Sequence, residues 1–194
     1  MKIYNFEQGT PEWLEVRLGK LTASNAQAIQ AKGAGLKTYI FDKVAEILSG
    51  KMEETYINAN MERGNEHEDL ARSSYEMQTG NSVEQVGFVE MDDNVGASPD
   101  GFVGEDGLIE IKCPKAGKYA RFLYDKKIEP KYEWQMQMQM LVTNRKWVDY
   151  VLFHENFSDV IVHRVMRDED KIEKIVSGLE VGLLNMGEIL KEVK

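Results

Sequence analysis

Asp100, Glu110 and Lys112 form the most suggestive reactive set in the chain; they sit in Ser98-Pro99-Asp100-Gly101 and Glu110-Ile111-Lys112. In an extended strand alternate side chains share a face, so Glu110 and Lys112 project together while Ile109 and Ile111 point the other way into a core. A turn at Gly104-Glu105-Asp106-Gly107 would fold Asp100 back towards the same strand. Two carboxylates and one ammonium then share a spot. A hard cation such as Mg²⁺ takes oxygen ligands and suits one or two carboxylates plus the phosphate oxygens of a substrate. Such an ion lowers the pKa of a bound water and offsets charge developing on phosphate. A neighbouring lysine could orient that water or stabilise the transition state. Such a set would suit phosphodiester cleavage. The bland alternative for each fragment alone is a same-face ion pair on a strand beside an ordinary Pro-Asp-Gly turn.

Periodicity and caps indicate the helices and strands around these residues. Thr10-Pro11-Glu12-Trp13 starts a short helix that Gly19 ends. Ser24-Asn25-Ala26-Gln27 is a second helix start, with Ser and Gln at capping-box spacing. Residues 38–48 place Ile40, Phe41, Val44, Ile47 and Leu48 on one helical face. A helix over 60–79, closed by Gly80, has only Met61, Leu70, Ala71, Tyr75 and Met77 as apolar residues, so part of it lines something polar. Strand signals begin at Val83, continue through Gly87-Phe88-Val89-Glu90-Met91, and give a hairpin of strands 96–103 and 108–112. Residues 115–127 look helical. Over 133–142, Gln and Met alternate as in a strand, yet Gln135/Gln139 and Met136/Met140 also sit four apart; Pro130 upstream and good helix formers favour helix. Strands over 147–153 and 160–166 precede an amphipathic helix over 168–194. The class is α/β (α+β), with a mixed central sheet flanked by helices. With no repeat, low-complexity tract or linker, residues 1–194 are expected to form a single domain.

Composition bounds the alternatives. The 194 residues include 24 Lys+Arg against 33 Asp+Glu, a net charge of −9. One cysteine, Cys113, excludes a disulfide framework, and with three scattered histidines it excludes a structural zinc site built within the chain. The longest apolar run, 150–153, is far short of the ~20 residues a membrane span needs. Residues 1–7 have no signal-peptide core, so a cytoplasmic protein is expected. Net acidity argues against nucleic acid until its distribution is seen. Residues 84–106 hold seven acids and no base, whereas 112–131 hold seven bases and two acids. An acidic block running into a basic one suits cations beside a polyanion, although charge runs are more often solvated faces.

Pro99-Asp100 followed by Glu110-Ile111-Lys112 matches the PD-(D/E)XK nuclease signature. Beyond it, the chain resembles the lambda-exonuclease (YqaJ-type viral recombinase) family. Four blocks in family order carry that resemblance: Trp13-Leu14-Glu15-Val16-Arg17-Leu18-Gly19 with Leu21-Thr22-Ala23-Ser24; Arg63-Gly64-Asn65-Glu66-His67-Glu68; Ala97-Ser98-Pro99-Asp100-Gly101 with Leu108-Ile109-Glu110-Ile111-Lys112-Cys113-Pro114; and residues 132–143 with their repeated glutamines. The resemblance implies a restriction-endonuclease-like core and a metal shell of Glu68, Asp100, Glu110 and the Ile111 carbonyl. It makes Lys112 the catalytic lysine. Gln137 is taken as the glutamine that helps place the scissile phosphate, with Gln135 its competitor. A pocket for a terminal 5′-phosphate is implied at Arg17, Ser24 and Ser98. Ser24 as a helix cap offers free N–H groups to an anion, and the planar fork of Arg17 suits phosphate. Lys115, Lys118 and Arg121 are expected on DNA backbone. The implied activity is 5′-to-3′ exonuclease action on double-stranded DNA with Mg²⁺ (two ions, Mn²⁺ able to substitute), releasing mononucleotides and leaving 3′ tails. A ring-shaped homotrimer, a single-strand annealing partner and a phage origin in a bacterial host come with it. The rivals are another PD-(D/E)XK nuclease, such as an endonuclease, or a non-catalytic DNA-binding module. Trp13, Cys113 and the Met136/Met138/Met140 cluster read as packing rather than chemistry.

Overall fold

The computed structural model describes residues 1–52 and 59–193, with backbone alone for 59–66. The side chains of Met61 and of the block from Arg63 to Glu66, and Lys194, which the sequence reading put in the last helix, lie outside what is described.

Nine strands form two sheets among the described residues. In the larger, the spatial order is β3 (Val83–Glu84), β6 (Gly101–Val103), β7 (Gly107–Lys112), β8 (Trp147–Leu152) and β9 (Ile161–Met166). β7 and β8 are parallel and the other neighbours antiparallel. Parallel neighbours need a long crossover, and α5 (Ala116–Asp125) and α6 (Pro130–Thr143) supply it. The smaller sheet runs β1 (Lys2–Tyr4), β4 (Phe88–Asp92), β5 (Val95–Ala97), β2 (Leu21–Thr22). Both sheets are mixed, as expected.

The remaining helices are α1 (Pro11–Arg17), α2 (Ala26–Ala31), α3 (Ala34–Ser49), α4 (Ala59–Thr79) and α7 (Glu169–Val193). Local chemistry sets their ends. Thr10 Oγ1 accepts the Trp13 N–H at 3.4 Å with Pro11 in the first turn, and Gly19, at φ +70°, turns the chain away after α1. α6 starts at Pro130 and ends at Asn144 in the left-handed region. The larger core joins Leu21, Ile29, Ile40, Met136, Met138, Met140 and Ile175, so the methionines are packing. A second core lies beneath α4, where Ala71 and Tyr75 meet Ile109, Ile111, Val151 and Phe153. Burying each isoleucine contributes roughly 1.5–3 kcal/mol, which fixes the β7 register and turns Glu110 and Lys112 to the opposite face.

One expectation fails here. Residues 96–103 are not one strand: β5 ends at Ala97 in the smaller sheet and β6 begins at Gly101 in the larger. Pro99 has no N–H for a ladder, so the chain leaves one sheet and enters the other across Ser98-Pro99-Asp100. A Cβ at Gly101 would lie 2.4 Å from the Val83 side chain, which explains glycine at this crossing.

Candidate active site

The crossing delivers Asp100 to β7. Its backbone N–H donates to the Ile109 carbonyl at 3.2 Å, and its Oδ2 accepts the Ile111 N–H at 2.6 Å. Glu110, only 1% exposed, projects from the same strand, and Lys112 Nζ forms an ion pair with its Oε1. Lys112 also lies over the Tyr132 ring, 5.2 Å from the centroid. The three residues singled out in sequence do converge.

Their charges are strained against each other. Burial pushes the Asp100 carboxyl well above its usual range, and Glu110 and Glu68 raise it further; Lys112 and the Ile111 N–H only partly offset this. Burial also works against the Lys112 ammonium, but Glu110 and Asp100 outweigh it, so this pKa is raised and the lysine keeps its proton. Glu68, on α4, is raised mainly by burial, with Arg72 pulling it down. Arg72 donates to Glu68 Oε1 at 2.9 Å and to Asp69 Oδ1 at 2.7 Å. Among the described residues no three His, Cys, Asp or Glu side chains enclose an ion-sized space as they stand. The donor set nevertheless fits a hard divalent cation. It is made of carboxylate oxygens from two strands' ends and a helix, and their mutual repulsion is what a positive ion would relieve.

The glutamines differ from expectation. Gln135 Nε2 donates to Glu110 Oε1 at 2.7 Å and Gln139 Nε2 to Glu110 Oε2 at 2.6 Å. Gln137 points elsewhere: it donates to the Met166 carbonyl and accepts the Asp168 N–H, each at 2.9 Å, tying α6 to the β9–α7 connection. Gln137 is therefore turned away from Glu110, whereas its competitor Gln135 faces it, joined by Gln139, which the sequence reading does not single out. The signal was present in the four-residue spacing, since a helix puts 135 and 139 on one face and 137 on another.

The N-terminal block forms a second cluster. Arg17 Nη1 donates to Ser98 Oγ at 2.8 Å, and Trp13 Nε1 donates to the same oxygen at 3.0 Å. The guanidinium stacks over the half-buried Trp13 ring at 4.0 Å. Burial lowers the Arg17 pKa to about 10, and its Nε is buried with no partner among the described residues. Ser24 does not cap a helix. It lies in a 3-10 turn, Ala23–Asn25, and its exposed hydroxyl is 3.2 Å from Thr22 Oγ1. α2, only six residues long, begins after it with no side-chain cap. The local pull of the turn at 23–25 displaces the expected start.

Asp100, Glu68 and Lys112 border a cleft of about 1500 Å³ whose wall carries Lys115, Lys118, Arg121, Lys126, Lys127 and Lys131. Lys118 is paired with Glu129 at 2.8 Å and Arg121 with Asp125 at 3.3 Å, both pairs on the surface. Glu129 also meets Lys131 at 3.4 Å, so the two acids of the basic block are spent on three of its bases. Cys113 is buried beside the cleft.

A mixed sheet that brings an acid-x-lysine strand and a Pro-Asp crossing to the floor of a base-lined cleft defines a nuclease, an enzyme that hydrolyses phosphodiesters. The YqaJ-like viral recombinase domain matches residues 12–146, and the chain belongs to that family. Among solved structures it is similar to the alkaline exonuclease LHK-Exo of Laribacter hongkongensis, with 35% identity, 95% of this chain and 96% of that one covered, and TM-score 0.88. LHK-Exo in complex with dAMP aligns with the same identity and coverage at TM-score 0.89. A phage-related exonuclease of Haemophilus somnus 129PT, at 18% identity over 90% of this chain and 96% of that one, shares the fold with TM-score 0.70. No curated protein is a significant match. Among the described residues no helix is long and apolar enough to cross a membrane.

Proposed function

We propose that the chain is a Mg²⁺-dependent exonuclease that degrades double-stranded DNA from its 5′ ends, releases mononucleotides and leaves 3′ single strands for recombination by annealing. The observation that carries this reading is the convergence of Asp100, Glu110 and Lys112 beneath the base-lined cleft. The family match and the likeness to LHK-Exo, whose complex holds dAMP, support exonuclease action.

Glu68, Asp100, Glu110 and the Ile111 carbonyl would hold one or two Mg²⁺ ions, with Mn²⁺ able to substitute. When bound, the metal supplies an activated water and offsets charge on the phosphate. Lys112, charged as it stands, donates a hydrogen bond to a phosphate oxygen or the attacking water rather than taking a proton. Gln135 and Gln139 hold the Glu110 carboxylate so that its oxygens stay aimed at the cleft. Water adds to phosphorus, the bond to the 3′ oxygen breaks, and that oxygen leaves with a proton. The shortened strand keeps a 5′-phosphate. Arg17, with Ser98 and Ser24, would take that phosphate at each cycle, because a buried guanidinium whose one hydrogen-bond partner among the described residues is a neutral hydroxyl is ready for an anion.

Residues 1–194 would act as one nuclease domain in the cytoplasm of a bacterial host of a phage, as a ring-shaped homotrimer with a single-strand annealing partner. A ring reconciles the −9 charge with DNA, since basic surface lines the channel and acidic surface faces outward. The test is digestion of linear duplex labelled at one 5′ end or one 3′ end, with and without Mg²⁺, beside a covalently closed circle. Early release of 5′ label as mononucleotide, with the circle intact, is the expected result. Cleavage of the circle would make the chain an endonuclease, and label release without added divalent metal would remove the metal reading.

A further inference from the structure

We propose that one face of α3, formed by Tyr39, Lys43 and Glu46, positions the 5′-phosphate pocket and so sets how strongly the enzyme prefers a phosphorylated end. The inference rests on the reading of Arg17, Ser24 and Ser98 as that pocket.

These residues lie at i, i+4 and i+7, so they share one side of the helix. All three are buried, at 7%, 6% and 8% exposure. Glu46 Oε2 accepts the Gly19 N–H at 2.9 Å, and its Oε1 accepts from Lys43 Nζ at 2.6 Å. Lys43 Nζ lies 5.3 Å from the Tyr39 ring centroid. The Tyr39 hydroxyl accepts the Thr22 N–H at 2.9 Å and donates to the Lys20 carbonyl at 3.3 Å. It is also 3.3 Å from Thr22 Oγ1, which in turn meets Ser24. The polar face of α3 thus grips the backbone at Gly19, Lys20 and Thr22. That segment is the connection between Arg17 and Ser24.

A buried Lys–Glu pair is a poor way to seat a helix, because an apolar pair of similar volume would do so at least as well. Its use here makes sense if the segment must be held in one geometry. Electrostatics point the same way. Arg17 has no ion-pair partner among the described residues and lies on a neutral serine. Burial disfavours its charge, and Tyr39 and Glu46 are the groups that work against that loss. Gly19 leaves no slack: a Cβ there would sit 2.6 Å from Ile47 Cγ1, on the same helix. A shift of α3 is therefore passed directly to the residue two positions beyond Arg17.

The experiment compares initial rates on 5′-phosphorylated and 5′-hydroxyl linear duplex for the full chain with Mg²⁺. The variants are Tyr39→Phe, which removes only the hydroxyl, and the double variant Lys43→Met with Glu46→Gln, which leaves no unpaired buried charge. Each should lower the phosphate-to-hydroxyl ratio of kcat/KM by roughly five- to tenfold, the worth of one neutral hydrogen bond. Loss that falls equally on both substrates would mean that the face is merely structural and would overturn the inference. So would an unchanged ratio in both variants. A wild-type enzyme with no phosphate preference would instead sink the pocket reading on which the inference stands.

Discussion

Gln139→Met separates the chemistry of Glu110 from the stability of the fold. Gln139 is fully buried, and its Nε2 gives Glu110 Oε2 a 2.6 Å hydrogen bond. A bond to a charged group contributes ~1.5–3 kcal/mol. The other end of the same amide is a liability, for Oε1 is buried with no partner among the described residues, which costs ~1–3 kcal/mol. Methionine has nearly the same length, suits a helix and joins Met136, Met138 and Met140 in the same core. Loss and relief nearly cancel, so metal-free stability should change by no more than about 1 kcal/mol. Function has no such offset. A free Glu110 Oε2 leaves the carboxylate to rotate about a single remaining glutamine and the lysine, and loss of a partner to a metal-holding group costs about 10–100-fold in metal affinity or activity. The assay is Mg²⁺ titration of nuclease rate beside thermal unfolding in chelator. A raised half-saturating Mg²⁺ concentration with an unchanged melting temperature is expected. Wild-type Mg²⁺ dependence would refute the role of Gln139, and a parallel collapse of stability would refute the cancellation. Gln137→Met should do the reverse: it loses both bonds to the β9–α7 connection, destabilises by roughly 1–3 kcal/mol, and leaves the Mg²⁺ dependence alone.

Asp100→Asn should abolish cleavage yet melt higher than wild type in chelator at neutral pH. The folded Asp100 pKa is raised above its unfolded value, so its contribution to stability is whole below the unfolded pKa of about 3.9 and is lost as pH rises through the folded pKa; the advantage of the variant should vanish near pH 4, and saturating Mg²⁺ should reverse its sign. Neutralising Lys115, Lys118 and Arg121 together should lower the slope of log binding constant against log salt, measured with Ca²⁺ in place of Mg²⁺, by about two to three if all three meet phosphate; an unchanged slope would make this wall of the cleft a solvated face. Arg17→Ala should cut the preference for phosphorylated over hydroxyl ends by ~1.5–3 kcal/mol, or roughly 10- to 150-fold, with metal dependence unchanged; an intact preference would put the pocket elsewhere.

What sequence revealed of this site, and what it hid, divides by the range of the interaction. Glu110 and Lys112 were legible because strand alternation is local, and two flanking isoleucines that must be buried leave them only one face. Arg17 with Ser98 came from the ordered family blocks, and their 2.8 Å contact spans 81 positions that no periodicity could join. The glutamines were legible in principle: a single choice between period 2 and period 3.6 decides whether 135, 137 and 139 share a face. Helix puts 135 and 139 on one face and 137 on another, and that is where their hydrogen bonds go. Ser24 misled because Ser-x-x-Gln is the same string whether the hydroxyl caps a helix or sits in a 3-10 turn, and the choice belongs to Tyr39 and Thr22, which meet across 17 positions. The two-residue strands β2 and β3 were too short to carry any alternation of their own and exist only because β5 and β6 offer them an edge. The break at Pro99 is the most instructive case. Its missing N–H was legible as punctuation in a hairpin, but only two sheets competing for the same chain make it the crossing that brings Asp100 to β7, where its carboxylate accepts the Ile111 N–H. The proline before the acid is then a requirement of the site rather than an ornament of the turn: it keeps the acid's own segment out of either sheet, where its side chain would be fixed by pleat instead of by the chemistry it serves.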